Sequence, residues 1–458
     1  MSPTRRQVLA GAAAGALGAA GVYELVDHLA ASPPKRAAPA APELPEQHLL
    51  QGVKVVHQND VEVLVPPLHH EVMTARLKVE ASGLSDARAT LENVLDSLDA
   101  DYAPTPAGLG VTVAWGLPYF RRLVPDAALR HLPLDRRAGK PAIEDARTFP
   151  SDPDATVLEA NEIAILLRSD FRANIDDAVD RLRSSGLLHL TSLRRGFAGG
   201  ALEGGDSLPR QMAMAAGVPG ADLIPEGAEL FLGFTSTQKA AFGPGKIANF
   251  ETLGYVDLRD SSYFREGTHL HLSHVAEDLE AWYVNFAFDE RVTTAFKPGL
   301  DVPDGTQVVA QGPEQASTAL DVRQQFHSSG RIGHSASIQA TSRLVNDAIG
   351  ADGTHYPKGT AIPIRADFNT LDNPFLFSDE AGVIQAEPMA GIHFLVFNPS
   401  TDDFNRNRLA MDGVLPGGTL DIPARDRAQG FNSILTTTHR QNFLVPPRRN
   451  RSFPLSEL

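Results

Sequence analysis

Cysteine is absent from the 458 residues, and tryptophan occurs only twice. Without cysteine the chain has no disulfide, and a metal or haem would be held by His, Met, Tyr, Asp or Glu rather than by a thiolate. Basic residues are too few to balance the acids, which leaves a net charge of −15. This negative charge argues against a nucleic-acid partner, which needs a basic face to neutralise phosphates.

A long run of strongly apolar residues is also missing near the start of the chain. The segment 10–22 consists mainly of Ala and Gly, whereas a membrane span needs roughly 20 strongly apolar residues. It follows the pair Arg5-Arg6, and this order is typical of a twin-arginine export signal. We therefore predict that the twin-arginine translocase recognises residues 1–30. We also predict that these residues are removed and that no stable membrane span remains afterwards. An uncleaved anchor is the alternative.

The predicted export route bears on location and on cofactors. Twin-arginine signals direct folded proteins out of the cytoplasm, so the expected location is the periplasm, the cell surface or the medium. A common reason to fold before export is a cofactor inserted in the cytoplasm, which makes a bound cofactor the first hypothesis. Many proteins without a cofactor take the same route, so the signal does not name one.

Composition and periodicity divide the rest of the chain. Residues 31–49 are rich in Ala and Pro, which favours an extended linker. We predict a first domain over residues 50–222, a second over 223–435, and a C-terminal tail over 436–458 whose arginines form a solvated arm.

The first domain alternates strands and helices in a readable order. Residues 70–79 alternate apolar and polar, a helix is predicted from an N-cap at Ser85, and a strand follows at 108–115. The same order recurs at 162–193. Two strand-helix-strand units predict an α+β ferredoxin-like domain, an antiparallel sheet with helices on one face.

The second domain repeats this pattern with longer insertions. Strands are predicted at 268–274 and 392–398, and helices at 276–288 and 401–411, the last with Thr401 as its cap. The long insertion at 298–390 is where we expect a site to be built.

This arrangement resembles the dye-decolourising (DyP-type) peroxidases, haem proteins with two ferredoxin-like domains of the dimeric α+β barrel type. The resemblance covers most of residues 50–412 and includes the segment Gly330–His334 followed by Arg343. It implies haem b, with His334 as the axial ligand of the iron and Arg343, Phe394 and Phe397 contacting the cofactor. A carboxylate or a carbonyl oxygen on the other ring nitrogen would set the basicity of His334. Asp347, Asp352 and Asp367 are nearby in the sequence, which does not choose among them.

The chain departs from this family at the distal side of the haem. The family's Gly-x-x-Asp-Gly motif corresponds to the stretch 232–237, where Ser236 replaces the aspartate. A hydroxyl cannot shuttle a proton as a carboxylate does. Arg291 is the candidate for the distal arginine, although it is displaced from the family's position. The resemblance therefore implies a peroxide-dependent oxidoreductase acting on a small substrate, with weakened or altered turnover.

Two alternatives stay open. The first is a non-catalytic binding or structural protein on the same fold, which Ser236 favours. The second is a copper or zinc protein that uses His269, His271 and His274, since residues two apart on a strand share a face. The pair His69-His70 is expected to face solvent. A homo-oligomer is compatible with the sequence, which does not test it.

Overall fold

The structure is a computed structural model that describes residues 26, 44–58, 61–200, 207–234, 263–300, 317–349, 355–371 and 388–458. It contains two four-stranded antiparallel sheets. The main strands are β1 His69–Leu77, β2 Gly110–Gly116, β3 Ile163–Ser169, β4 Leu188–Phe197, β5 Thr268–Glu277, β6 Phe368–Thr370, β7 Gly391–Asn398 and β8 Leu435–Val445. The helices are α1 Leu84–Asp101, α2 Leu117–Leu123, α3 Pro125–His131, α4 Arg172–Ser184, α5 Leu208–Ala216, α6 Leu279–Asn285, α7 Phe288–Ala295, α8 Ala319–Ser329, α9 His334–Gln339 and α10 Thr401–Met411.

Short strands complete the secondary structure. The pair Lys54–Gln58 and Val61–Val65 forms a separate hairpin. The others have two residues each: Leu134–Asp135, Lys140–Pro141, Val157–Leu158, Ala348–Ile349, His355–Tyr356, Ile364–Arg365, Val414–Leu415 and Gly418–Thr419.

Each sheet has the strand order of a ferredoxin-like unit. In the first unit the order is β4-β1-β3-β2, with α1 and α4 as the connecting helices. In the second unit the order is β8-β5-β7-β6, with α10 between β7 and β8. The predicted α+β class with two ferredoxin-like units is confirmed.

The two sheets close into one eight-stranded barrel. Strand β6 pairs with β4, and β8 pairs with β2, so each edge of one sheet meets an edge of the other. Closure removes exposed edges, which is how a barrel avoids unpaired backbone groups. The dimeric α+β barrel arrangement implied by the resemblance is therefore present within one chain.

Closure buries both faces of the strands. The inner face carries an apolar cluster that includes Val72, Leu166, Leu272, Phe397 and Phe443. The outer face of the first sheet packs on its helices in a larger apolar core. The prediction that His69 and His70 face solvent is wrong, because both are buried, at 0 % and 1 % exposure. Strands buried on both faces lose the clean alternation that marks a solvent-facing side.

Two helix N-caps differ from the sequence prediction, that of α1 by two residues and that of α10 by one. Helix α1 begins at Leu84 with Gly83 as its N-cap, so Ser85 lies within the first turn. Helix α10 is capped by Ser400 rather than Thr401, and Asp403 accepts a hydrogen bond from the Ser400 backbone N–H at 3.2 Å. This reciprocal pattern is a capping box.

The C-terminal tail is not a solvated arm, which corrects the sequence prediction. Arg440 lies within β8 and is 1 % exposed, and Arg451 is 3 % exposed and paired with Asp99 at 2.6 Å. The Trp115 indole N–H donates to the Arg451 carbonyl oxygen at 2.9 Å, and Phe453 is fully buried beside it. The tail is thus part of the first unit's core.

The end of the expected Ala/Pro linker is also packed into the fold. Residues 44–49 are described, and Gln47 is 1 % exposed. Its amide N–H groups donate to the carbonyl oxygens of Val113 and Pro446 at 2.9 and 2.8 Å, while its own oxygen accepts from the Val113 N–H. This segment covers one end of the barrel. In the part of the chain that the structure describes, no helix has the length and apolarity needed to span a membrane.

Candidate functional site

Helix α9 places His334 against the second unit. Gly333 precedes the helix, and a Cβ there would lie 2.3 Å from the Phe296 carbonyl oxygen, so only glycine allows this approach. The Ala336 N–H donates to the same carbonyl oxygen at 3.0 Å. These contacts hold the start of α9 against the end of α7.

The ring of His334 is half-buried and uncharged. Its Nδ1 is buried and has no hydrogen-bond partner among the described residues, and the ring lies 4.5 Å from the ring of Phe431. Burial, followed by the positive charges of Arg365 and Arg408, lowers the pKa of His334 to about 3. A neutral imidazole with an available lone pair is the form that binds iron.

The aspartates predicted to orient His334 have other partners. The Asp347 carboxylate lies 3.1 Å from His355 Nε2 and accepts a hydrogen bond from the Lys358 backbone N–H. Asp367 pairs with Arg365 at 3.4 Å. Asp352 lies outside the described residues.

Of the two predicted distal groups, only Arg291 lies in the described part of the chain. The Arg291 guanidinium donates to the Phe286 carbonyl oxygen at 2.7 Å and lies over the Tyr283 ring at 5.0 Å. Burial lowers its pKa. These contacts hold the side chain of Arg291, which lies in α7, against α6 and the turn that follows α6. Ser236 lies outside the described residues.

Arg343 is held by the segment after α9. Its guanidinium donates to the Gly359 carbonyl oxygen at 2.8 Å, and its backbone forms an isolated β-bridge with Ala361. Burial lowers the pKa of Arg343 to about 10. Arg343 therefore braces the chain between α9 and β6.

Phe394 and Phe397 cannot line one pocket together, which corrects their joint assignment to the haem. They are three residues apart on β7, so their side chains point to opposite faces of the strand. Phe397 is fully buried inside the barrel, whereas Phe394 packs outside it, with its ring 6.4 Å from that of Phe404 on α10.

The outer face of the second sheet is filled where it meets α10. Phe404 stacks on His271 with 3.3 Å between ring centroids, and Phe149 from the first unit lies edge-on to Phe404. The guanidinium groups of Arg408 and Arg440 lie over the Phe149 ring at 5.2 and 4.7 Å. No flat hollow is left between this part of the sheet and α10.

A buried carboxylate organises this cluster. Asp152 pairs with Arg440 at 2.7 Å and with Arg408 at 3.2 Å, and all three side chains are at most 10 % exposed. Sequence reasoning missed Asp152 and Phe149 because they lie in a loop whose contacts come from residues more than 250 positions away.

The copper or zinc site proposed for β5 is contradicted by the strand geometry. His269 and His271 point outward, but His274 points into the barrel beside His393, with 5.0 Å between their rings. Both ring nitrogens of His271 already have partners, Asn442 Oδ1 at 2.7 Å and Ser273 Oγ at 2.6 Å. Among the described residues, no three His, Asp or Glu side chains are placed to share a metal ion.

A titratable group that the sequence did not suggest lies at the end of β5. Burial raises the pKa of Glu277 to about 8, and the negative charge of Asp367 adds to the shift. The Glu277 Oε2 atom is buried without a hydrogen-bond partner in the described part of the chain. Asp367, whose charge acts on Glu277, pairs with Arg365, and the charge of Arg365 in turn lowers the pKa of His334.

Comparisons with known proteins give one family and a set of structures. A family model described as a family of unknown function (DUF7405) matches residues 67–447. A search of curated proteins found no match.

The solved structures found are DyP-type peroxidases, the family that the sequence resembles. That from Cellulomonas bogoriensis has a TM-score of 0.48 and 15 % identity over 86 % of this chain and 95 % of its own. A putative DyP-type peroxidase from Shewanella oneidensis has a TM-score of 0.46 and 12 % identity over 86 % of this chain and 95 % of its own. DyPB from Rhodococcus jostii RHA1 has a TM-score of 0.45 and 12 % identity over 85 % of this chain and 96 % of its own.

Proposed function

The chain belongs to the DUF7405 family of unknown function, and we propose that it is an exported haem-binding protein in which His334 is the axial ligand of the haem iron. The observation that carries this proposal is the state of the His334 ring. It is neutral, and its Nδ1 is buried with no hydrogen-bond partner among the described residues. The segment Gly330–His334 also carries the sequence resemblance to DyP-type peroxidases.

The donor at this position suits haem, because His334 would hold the iron through a neutral ring nitrogen. Arg365 and Arg408 act on the charge of His334, and each is already paired with a carboxylate, Asp367 and Asp152 respectively. When bound, haem supplies peroxide-dependent oxidation.

Peroxidase turnover would be weak in this chain. The position of the family's distal aspartate is occupied by Ser236, which cannot move a proton as a carboxylate does. Arg291 is held by the Phe286 carbonyl oxygen and the Tyr283 ring. A role for haem other than rapid peroxide turnover follows from these two positions.

The second candidate is a cofactor-free binding or structural protein on the same barrel. The filled space between the second sheet and α10 favours it, since Phe404, Phe149 and the Asp152 ion pairs occupy that face. In this reading His334 is a packing residue against Phe431.

One experiment separates the two candidates. The full chain is expressed with its signal, recovered from outside the cytoplasm, supplied with haem, and its absorbance spectrum recorded. We expect a Soret band that is lost or shifted in His334→Ala. The matched control is His355→Ala, because His355 is an exposed histidine paired with Asp347, and this variant should retain the band.

Two results would reject the haem proposal. One is the lack of a Soret band in the wild-type protein, and the other is a band that is the same in His334→Ala and in the control. The first result leaves the cofactor-free candidate, and the second means that haem is held by a residue other than His334. Recovery of the protein only from the cytoplasm would reject export by the twin-arginine route.

A further inference from the structure

A buried arginine at one end of the barrel has no carboxylate partner among the residues that the structure describes. Arg168 points inward near the end of β3 and is 8 % exposed. Its Nη2 donates to the His48 carbonyl oxygen at 2.7 Å, while its Nε has no hydrogen-bond partner. Burial alone lowers its pKa to about 10, and no acidic group contributes. An unpaired charge in such a position destabilises the folded chain unless an opposite charge compensates it.

The acidic residues nearest in the chain are engaged elsewhere. Asp170 accepts a hydrogen bond from the Leu68 backbone N–H at 3.0 Å. Glu71 points to the outer face of β1, where it pairs with Arg172 at 2.8 Å and with Arg195 at 3.3 Å. Neither carboxylate balances the charge of Arg168.

Two buried histidines lie beside this guanidinium. His70 is directly across from Arg168 in the pairing of β1 with β3, is 1 % exposed and has an unpartnered Nδ1. His48 is 2 % exposed, and both of its ring nitrogens are unpartnered. Burial, followed by the charge of Arg168, lowers the pKa of both rings, so each is neutral and carries one N–H.

Aromatic rings form walls around these polar groups. The ring of Phe368 stacks on His70 at 5.0 Å, and the ring of Phe397 lies 5.0 Å from His48. The segment around Gln47 closes this end of the barrel through its hydrogen bonds to Val113 and Pro446. The unpartnered polar atoms of Arg168, His48 and His70 are buried by these groups.

We propose that Arg168, His48 and His70 form a binding site for a small carboxylate anion at this end of the barrel. A carboxylate is monovalent, so it balances the single charge of Arg168. Its two oxygens accept from a guanidinium in a planar geometry and from imidazole N–H groups as well. A short apolar group attached to it would lie against the aromatic walls. The proposal is independent of haem at His334, which lies on the outside of the barrel.

The probe for this site is formate. The full chain is unfolded and refolded in labelled sodium formate, dialysed, and the retained label is counted. In parallel, urea unfolding is measured as sodium formate replaces sodium gluconate at constant ionic strength, because gluconate is too bulky for an enclosed site. We expect about one formate per chain and an unfolding midpoint that rises with formate, as binding to the folded state alone requires.

Variants test whether Arg168 is responsible. Arg168→Met should weaken formate affinity about 10- to 100-fold, the range for hydrogen bonds to a charged group. The control is Arg121→Met, which removes an exposed arginine paired with Asp145 and should keep wild-type affinity. If Arg168→Met does not fold, His70→Phe keeps the stack on Phe368 and should weaken affinity about 2- to 10-fold by removing one N–H donor.

Some outcomes would overturn the proposal. A wild-type protein that retains no label and has the same midpoint in formate and gluconate holds no carboxylate at this site. A midpoint that rises equally in wild type and in Arg168→Met, or in wild type and His70→Phe, reflects a general salt effect.

Discussion

Lowering the pH should destabilise this protein steeply, because several buried histidines are neutral in the folded chain. Burial lowers the pKa of His48, His269 and His334 to about 3, whereas an unfolded histidine has a pKa of about 6.5. Below pH 6.5 these histidines bind protons in the unfolded chain but stay neutral in the folded chain. The free energy of unfolding therefore falls with pH until about pH 3.

The size of the effect follows from these values. Each of the three histidines lowers the free energy of unfolding by about 3 kcal/mol between pH 7 and pH 4.5, or about 8 kcal/mol together. Glu277 acts in the opposite direction, because its pKa of about 8 makes protonation favour the folded state. Between pH 7 and pH 4.5 it raises the free energy of unfolding by about 3 kcal/mol. For these four groups the loss is about 5 kcal/mol, which is comparable to the whole stability of many domains. The lowered pKa values of His70, His271, His393 and His439 act in the same direction.

The assay is urea unfolding followed by tryptophan fluorescence between pH 4 and pH 7. Both tryptophans, Trp115 and Trp282, are fully buried and report on the two units. In His269→Gln the slope of stability against pH should fall by about 1.4 kcal/mol per pH unit between pH 6 and pH 4. The control is His189→Gln, since His189 is exposed. Equal slopes in wild type and His269→Gln would refute the reasoning.

Two further predictions concern buried contacts between distant segments. Asp152→Asn should lower the free energy of unfolding by about 3–5 kcal/mol, because it leaves Arg440 without a charged partner in a buried site and removes one of the two carboxylate partners of Arg408, which keeps Asp412; a loss below about 1 kcal/mol in urea unfolding would contradict this. Phe453→Ala should cost about 3–5 kcal/mol by opening a cavity next to Trp115, with a red shift of tryptophan emission, and an unchanged emission and midpoint would show that the tail is not part of the core.

The order of secondary structure was predictable from the sequence. The alternation along β1 and the helical spacing of α1 and α4 depend on local burial of one face, which apolar residues record directly. The same holds for β7 and α10 in the second unit. The strand-helix order then implied ferredoxin-like units, which the structure contains.

The candidate site was predictable only in part. A histidine in the long insertion was expected, and His334 has a neutral, half-buried ring. Its surroundings were not foreseen, because Arg365 and Arg408 reach it from a short strand and from α10. The placement of Phe394 and Phe397 on one haem ignored that residues three apart on a strand face opposite ways.

The sequence by itself determined the two repeated α+β units and that His269 and His271 share one face of β5, since both follow from local periodicity. Only the tertiary structure decided that the sheets close into a barrel, through the pairing of β6 with β4 and of β8 with β2. That closure buries His70, Arg168 and Arg440. From the local sequence alone, polar residues of this kind are expected at the surface. The physical reason is that burial of a strand's second face depends on which distant strand pairs with its edge, and local periodicity carries no record of that partner.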